Sequence, residues 1–487
     1  MRTTWPMALL IACAPPGSVN AGTPPDSRDV QKHIDAVISG LLPAVEIDGQ
    51  SSRSTLADRM KALNVPGVSI AVINDGEIEW TRGFGVTKLG GAPVTPDTPF
   101  QAASISKPIA AATALRLVEE GKLSLDADVN ATLKTWKLPP SAFTATTPVT
   151  LRALLSHTAG TTVHGFPGYA AGTPLPTVPQ ILNGAAPANT KPVVVDQAVG
   201  AKFRYSGGGY TIAQQLMTDA TGQSFPALVR EKVLVPAGMT RSTEDQPLDA
   251  ARLATVAWPY DSKGHEIPGG PHTYPEMAAA GLWTTPTDLA RFAIDLREAA
   301  LGKAGHALTP QSASLMLTPV KDGYGLGVGT RSAGNDTSFG HGGSNEGYKA
   351  VMTLYRGSGD GVVVMTNGDQ GGQLGEEIVR AVAAEYGWPD PHPIKRTVAA
   401  VEIGQQARFI GTFVIPGAGD FKVRRDGDRL TAEIQDGVWS PLFPDSPTSF
   451  FVTDRDLRIT FADADHGTVV AGGWKGEFTR KSEPAAP

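Results

Sequence analysis

At 487 residues the chain is too long for one compact domain and allows two or three. Hydrophobic residues make up 41% and charged residues 18%, which excludes wholesale disorder. The 42 basic and 48 acidic residues leave a net charge of only −6, which excludes a basic nucleic-acid footprint.

The first residues read as an export leader over residues 1–21. Arg2 gives a positive start, residues 7–14 a short apolar run, and Val19-Asn20-Ala21 a small-residue cleavage pattern. The run is too short to span a bilayer, which takes about 20 residues, and no other segment reaches that length. A periplasmic or secreted location is therefore expected. Cys13 is the only cysteine, and Leu10-Ile11-Ala12-Cys13 resembles a bacterial lipobox, which leaves a lipid anchor as the alternative to a soluble product. Either outcome excludes an intramolecular disulfide, thiol catalysis and a cysteine-based zinc site.

Residues 65–73 (VPGVSIAVI) read as a buried strand, Asn74-Asp75-Gly76 as a tight turn, and residues 77–84 as the returning strand. From Pro108 the run PIAAATALRLVEEG reads as a core helix, with proline at its start and Gly121 at its end. Residues 139–202, rich in Pro, Thr, Gly and Ala, read as long loops around short helices. Residues 287–300 and 376–386 read as amphipathic helices, with the buried strand GVVVMT (361–366) between them. Residues 387–398 open with GWPDPHP and read as a linker. Beyond it, LTAEIQ (430–435) and LRITF (457–461) alternate like half-buried strands, and Asp426-Gly427 and Asp436-Gly437 supply turns. Residues 399–482 are thus expected to form a small all-β domain.

Chemistry gathers at three places. Ser104-Ile105-Ser106-Lys107 precedes the core helix, and residues three apart share a helical face, so the Ser104 hydroxyl and the Lys107 amine can meet. Serine is a poor nucleophile until a neighbour takes its proton, and lysine can do so once burial lowers its pKa. Tyr205 lies in FRYSGGGY (203–210), where the glycines free it from regular structure. His341-Gly342-Gly343 opens a second glycine-rich stretch that continues Ser344-Asn345-Glu346. A Ser–His–Asp triad using His157 is the competing arrangement, but no Gly-x-Ser-x-Gly elbow occurs. Neither a His-Glu-x-x-His metal motif nor a P-loop is present, and no cofactor or metal is expected.

Ser104-x-x-Lys107, Tyr205 and His341-x-Gly343, in that order, resemble the signature of the penicillin-recognising serine hydrolases. The resemblance is to the class C β-lactamase branch, with its D-aminopeptidase, carboxypeptidase and esterase relatives. It extends over TLRALLSHTAG (150–160), GLWTTPTDLARF (281–292), YGLG (324–327) and VVVMTN (362–367). It implies an α/β (α+β) β-lactamase-like fold: an antiparallel sheet flanked by helices plus a mainly helical subdomain, with the catalytic domain over residues 28–386. FIGTF (409–413), Arg429-Leu430 and PLFPD (441–445) are similar to the lipocalin-like barrel appended to some of these peptidases.

The implied roles follow residue by residue. Ser104 would be acylated, Lys107 would be its base or proton partner, and Tyr205 would be a second proton shuttle. The backbone N–H groups of Ser104 and Ser344 would form the oxyanion hole, and His341, Gly342 and Gly343 would line the cleft on an edge strand. Two departures stand out: Gly207 replaces the asparagine after the tyrosine, whose amide contact is either missing or supplied elsewhere, with Asn345 as the candidate, and His341 replaces a lysine. A small-molecule or peptide substrate is expected, cleaved at an amide or ester bond. A β-lactamase and a non-catalytic penicillin-binding sensor are the alternatives.

Overall fold

In β2 (Gly67–Asn74), which pairs with β3 (Glu77–Gly85) across the expected turn, side chains alternate between two cores. Ala71 and Ile73 enter one core, whereas Val68, Ile70 and Val72 enter the other. Such two-sided burial explains why β2 reads as a continuous apolar run rather than an alternating one. The computed structural model describes residues 28–435 and 437–481. The expected leader with Cys13 lies outside them, as do Asp436 and Ser482.

Before β2 lies a short strand, β1 (Val45–Ile47). After β3, β4 (Phe100–Gln101) pairs with the distant β5 (Trp283–Thr284) to make a two-stranded ribbon. The main sheet is completed by β6 (Gly329–Ala333), β7 (Asp336–Asn345), β8 (Tyr348–Tyr355) and β9 (Gly361–Thr366). It is antiparallel throughout, in the order β3-β2-β9-β8-β7-β6. The helices Arg28–Ser39 and Gly371–Glu385 cover one face, and Ser106–Glu119 and Pro286–Ala300 belong to the core on the other. A mainly helical region, including Leu151–Leu155, Val178–Asn183 and Gly207–Thr221, is inserted between β4 and β5.

The core helix begins at Ser106, two residues before the expected proline, and Gly121 at φ +68° follows its end. Beyond the sheet, the expected linker contains a strand of its own. β10 (Ile394–Arg396) pairs in parallel with β1, a contact across some 350 residues that no local pattern announces. The chain then forms a closed eight-stranded antiparallel barrel, from β11 (Gly411–Ile415) to β18 (Trp474–Arg480). Phe409, Phe413, Phe421, Phe450, Phe461 and Phe478 interlock inside it, several edge-to-face. Its lumen is a packed core.

Candidate active site

Ser104 sits on a one-turn 3₁₀ helix, Ala103–Ile105, that runs directly into the core helix. Ala103 adopts φ +51°, a left-handed conformation that costs a residue with a Cβ about 1–3 kcal/mol. The surroundings hold that elbow from two sides. The Ser106 hydroxyl donates to the Ala103 carbonyl (2.6 Å) and accepts from the Leu282 N–H (2.9 Å). The Ala102 N–H donates to the Leu282 carbonyl (2.8 Å). Ser106 is thus part of the machinery that aims Ser104. Sequence reasoning missed it, because the middle positions of Ser-x-x-Lys carry no chemical signal of their own.

One helical turn on, the Lys107 amine lies 3.0 Å from the Ser104 hydroxyl and donates to the Ala279 carbonyl at 2.8 Å. Its side chain is buried, with the ring of Tyr205 at 4.8 Å and that of Tyr210 at 5.7 Å. Burial penalises the ammonium and brings its pKa down to about 7. A substantial share of molecules therefore holds the neutral amine that a general base requires.

Tyr205 precedes the helix Gly207–Thr221, whose N-cap Ser206 accepts from the Gly209 N–H (3.0 Å) and donates to the Thr162 carbonyl (2.7 Å). The glycines read as a loop are therefore the first helical turn. At Gly208 a Cβ would come within 2.7 Å of the Thr162 carbonyl oxygen and 2.8 Å of Val193. Close packing on residues 162–166 overrides glycine's poor helix propensity. The Tyr205 phenol is hydrogen-bonded to Ser104; burial pushes its pKa up to about 12, and that bond pulls it partly back.

His157 bears on the rival triad. It is buried at φ +58°, and its Nδ1 accepts the Ser206 N–H at 3.0 Å. Its Nε2 has no hydrogen-bond partner, so it makes no bond to Ser104. The ring instead packs 4.3 Å from that of Tyr205. His157 thus supports the segment that carries Tyr205, and the Ser–His–Asp arrangement is not assembled.

The third segment lies on β7, which is not the edge of the sheet as expected. β6 is the edge, but it pairs only with residues 336–340, so from His341 onward β7 has no strand on its outer side. Gly343 lies against the elbow: a Cβ there would overlap the Ala102 carbonyl oxygen. Ser104, Tyr205, His341, Gly342, Gly343 and Ser344 line one cavity of about 750 Å³, which continues past His164 and Phe166 to Lys349 and Glu376. That volume suits a small molecule or a short peptide. A second cavity of about 740 Å³, lined by Ile38, Leu56, Met60 and Phe84, contains none of these groups.

Asn345 departs from its expected role. Its amide donates to the Gln101 side chain (2.8 Å) and the Ala280 carbonyl (3.1 Å), and it is buried away from the cavity wall. It fastens β7 to β4 rather than offering an amide to substrate. His341 makes two contacts, Nδ1 with the Gly342 carbonyl (2.5 Å) and Nε2 with the Tyr324 hydroxyl (3.0 Å). Burial and the nearby Lys107 press its pKa down to about 3, against the pull of the Gly342 carbonyl. It supplies no cation. Lys349, the one lysine on the cavity wall, is tied to Asp369 (2.6 Å).

The family model described as Beta-lactamase matches residues 53–386, more than two thirds of the chain and all of the segments above. The chain belongs to the beta-lactamase family. Penicillin-binding protein 4 of Amycolatopsis lactamdurans is 25% identical to this family member over 337 residues, covering 66% of this chain and 86% of that one. Unguisins hydrolase ungD' of Aspergillus campestris (strain IBT 28561) is 28% identical over 333 residues, covering 62% of this chain and 59% of that one. Among solved structures, the octameric penicillin-binding protein homologue from Pyrococcus abyssi aligns with a TM-score of 0.57 at 24% identity, covering 87% of this chain and 98% of that one. The D-amino acid amidase from Ochrobactrum anthropi SV3 aligns at 0.54 and 20% identity, covering 72% and 99%. At these identities the structural likeness shows the beta-lactamase fold. Among the described residues no helix is long and apolar enough to cross a membrane.

Proposed function

We propose that this beta-lactamase-family protein is an exported serine hydrolase that cleaves an amide or ester through an acyl-enzyme on Ser104. The contact between Lys107 and Ser104, 3.0 Å long and with the lysine pKa brought to about 7, carries this reading. In the neutral form Lys107 takes the Ser104 proton as the hydroxyl oxygen attacks the carbonyl carbon. The developing oxyanion is met by the backbone N–H groups of Ser104 and Ser344. Tyr205, hydrogen-bonded to Ser104, passes a proton to the leaving group. Water then attacks the acyl-enzyme by the same route in reverse, and carboxylic acid and free serine are restored.

The relatives' names include a hydrolase and an amidase, which supports a hydrolytic reading. Others are penicillin-binding proteins, which keeps a β-lactamase and an acylated sensor as alternatives. Among the described residues of the cavity wall, the neutral His341 and the paired Lys349 leave no free cation for a β-lactam carboxylate, and this favours neutral amides and esters.

A fluorescent phosphonate is expected to label the wild-type chain but not Ser104→Ala. p-Nitrophenyl acetate should be turned over only by the chain that labels. Labelling without turnover would favour the sensor; full turnover by Ser104→Ala would refute the mechanism.

A further inference from the structure

We propose that Tyr324 is a positioning residue that holds His341 in the neutral Nδ1–H tautomer and thereby turns the cleft against carboxylate-bearing substrates. The selectivity half of this proposal rests on the hydrolase reading above; the tautomer half does not.

Proton counting gives the direction of each bond. A carbonyl oxygen only accepts, so the 2.5 Å contact with Gly342 places a hydrogen on His341 Nδ1. Two states remain: the cation, with hydrogens on both nitrogens, or the neutral ring with a lone pair on Nε2. The charged and titratable groups around the ring decide between them. Lys107 faces it and disfavours a second positive charge, while the remaining neighbours, Tyr205, Tyr324 and the buried His157, carry no anionic side chain. Nε2 is then an acceptor, and the Tyr324 hydroxyl 3.0 Å away is its donor, in competition with the oxygen of Tyr210, whose own hydrogen goes to the Leu155 carbonyl (2.7 Å). Tyr324 therefore gives its proton to His341.

The fold keeps that hydroxyl in place. Tyr324 is 8% exposed, and its ring packs 5.0 Å from His157 and 5.4 Å from Phe203. Its backbone is pinned by hydrogen bonds with Val320 and Lys321 (2.8 Å each). A donor fixed opposite Nε2 stabilises the lone pair and opposes protonation there. Without it, a partly buried acceptor loses its partner, and taking up a proton becomes the cheapest remedy.

Long-range ¹H–¹⁵N spectra of the full chain carrying ¹⁵N-histidine, with His341 assigned through His341→Gln, read the tautomer directly. The wild type is expected to show a neutral Nδ1–H ring down to about pH 5, well under the usual histidine range. In Tyr324→Phe the His341 pKa should rise by about one unit or more, a tenfold change in its protonation equilibrium. A wild-type Nε2–H tautomer or cation at neutral pH would overturn the assignment, and so would an unchanged spectrum in Tyr324→Phe. The kinetic arm compares p-nitrophenyl hemisuccinate with p-nitrophenyl butyrate at about pH 5.5, where a histidine of ordinary pKa is largely protonated. The ratio of their kcat/KM values is expected to rise in Tyr324→Phe, because the protonated share of His341 grows about tenfold for each unit its pKa rises; an unchanged ratio would overturn the selectivity half. If the wild type cleaves neither ester, the hydrolase reading and the selectivity half fall together, while the spectra still decide the tautomer.

Discussion

Replacing Lys107 with alanine is expected to lower kcat for p-nitrophenyl acetate by about 10²–10⁴-fold, the usual worth of general-base assistance. The amine is the hydrogen-bond partner of Ser104 best able to take a proton near neutrality. Tyr205, the other partner, has its pKa pushed up to about 12 and is protonated there. The wild-type rate should also fall on the acid side with a midpoint near pH 7, because below about 7 the amine is protonated and cannot accept a second proton. The corresponding stability term has a definite sign. The folded chain holds Lys107 less protonated than an unfolded chain does, where the amine keeps its ordinary value of 10.5. Its contribution to stability therefore rises with pH between about 7 and 10.5 and is at its least favourable below 7. Steady-state kinetics across pH on both chains test this; unchanged turnover in Lys107→Ala would assign the proton to another base.

Gly343→Ala should be nearly as damaging although it removes no chemical group. A Cβ at that position would overlap the Ala102 carbonyl oxygen and stand 3.1 Å from its carbon, and neither backbone atom is free to yield. β7 would have to move off the elbow that carries Ser104, and a displacement of about 1 Å at a reacting centre can cost about 10²-fold. Overpacking of this kind also costs about 1–3 kcal/mol of stability. Gly342→Ala is the matched control, since the nearest atom to its Cβ is the Ala350 carbonyl oxygen at an ordinary 3.9 Å. Turnover of p-nitrophenyl acetate and melting temperature should separate the two variants; equal behaviour would refute the close-approach argument.

These two residues also mark where sequence reading ends. The pairing of Ser104 with Lys107 was legible because helical spacing is local, and the strands at 67–74 and 361–366 were legible because burial on both faces leaves an unbroken apolar run. The demand for glycine at 343 comes from Ala102, some 240 residues away, and nothing in His341-Gly342-Gly343 says which glycine carries it. Asn345 was misjudged for the same reason, since Gln101 and Ala280 claim its amide. Tyr324 was visible only as part of YGLG; its bearing on His341 needed the fold. The helical start at Gly207 was hidden because glycine's weak intrinsic preference is overruled by the segment it packs against.

The parallel pair β1–β10 has a mechanical consequence. The segment expected to be a linker is tied to residues 45–47, and Arg396 near its end pairs with Asp456 of the barrel (2.9 Å). Val45 donates to the Thr453 carbonyl (3.1 Å), and Ala44, Val45, Ile47 and Phe451 form a small shared apolar cluster. These contacts tie the barrel to the beta-lactamase-fold body at several points, and such a joint is expected to hold the two together rather than let the barrel swing over the cleft. Calorimetry should accordingly record a single endotherm, and a protease should find no early cut at residues 394–396; two separated endotherms would show that the joint is only a tether.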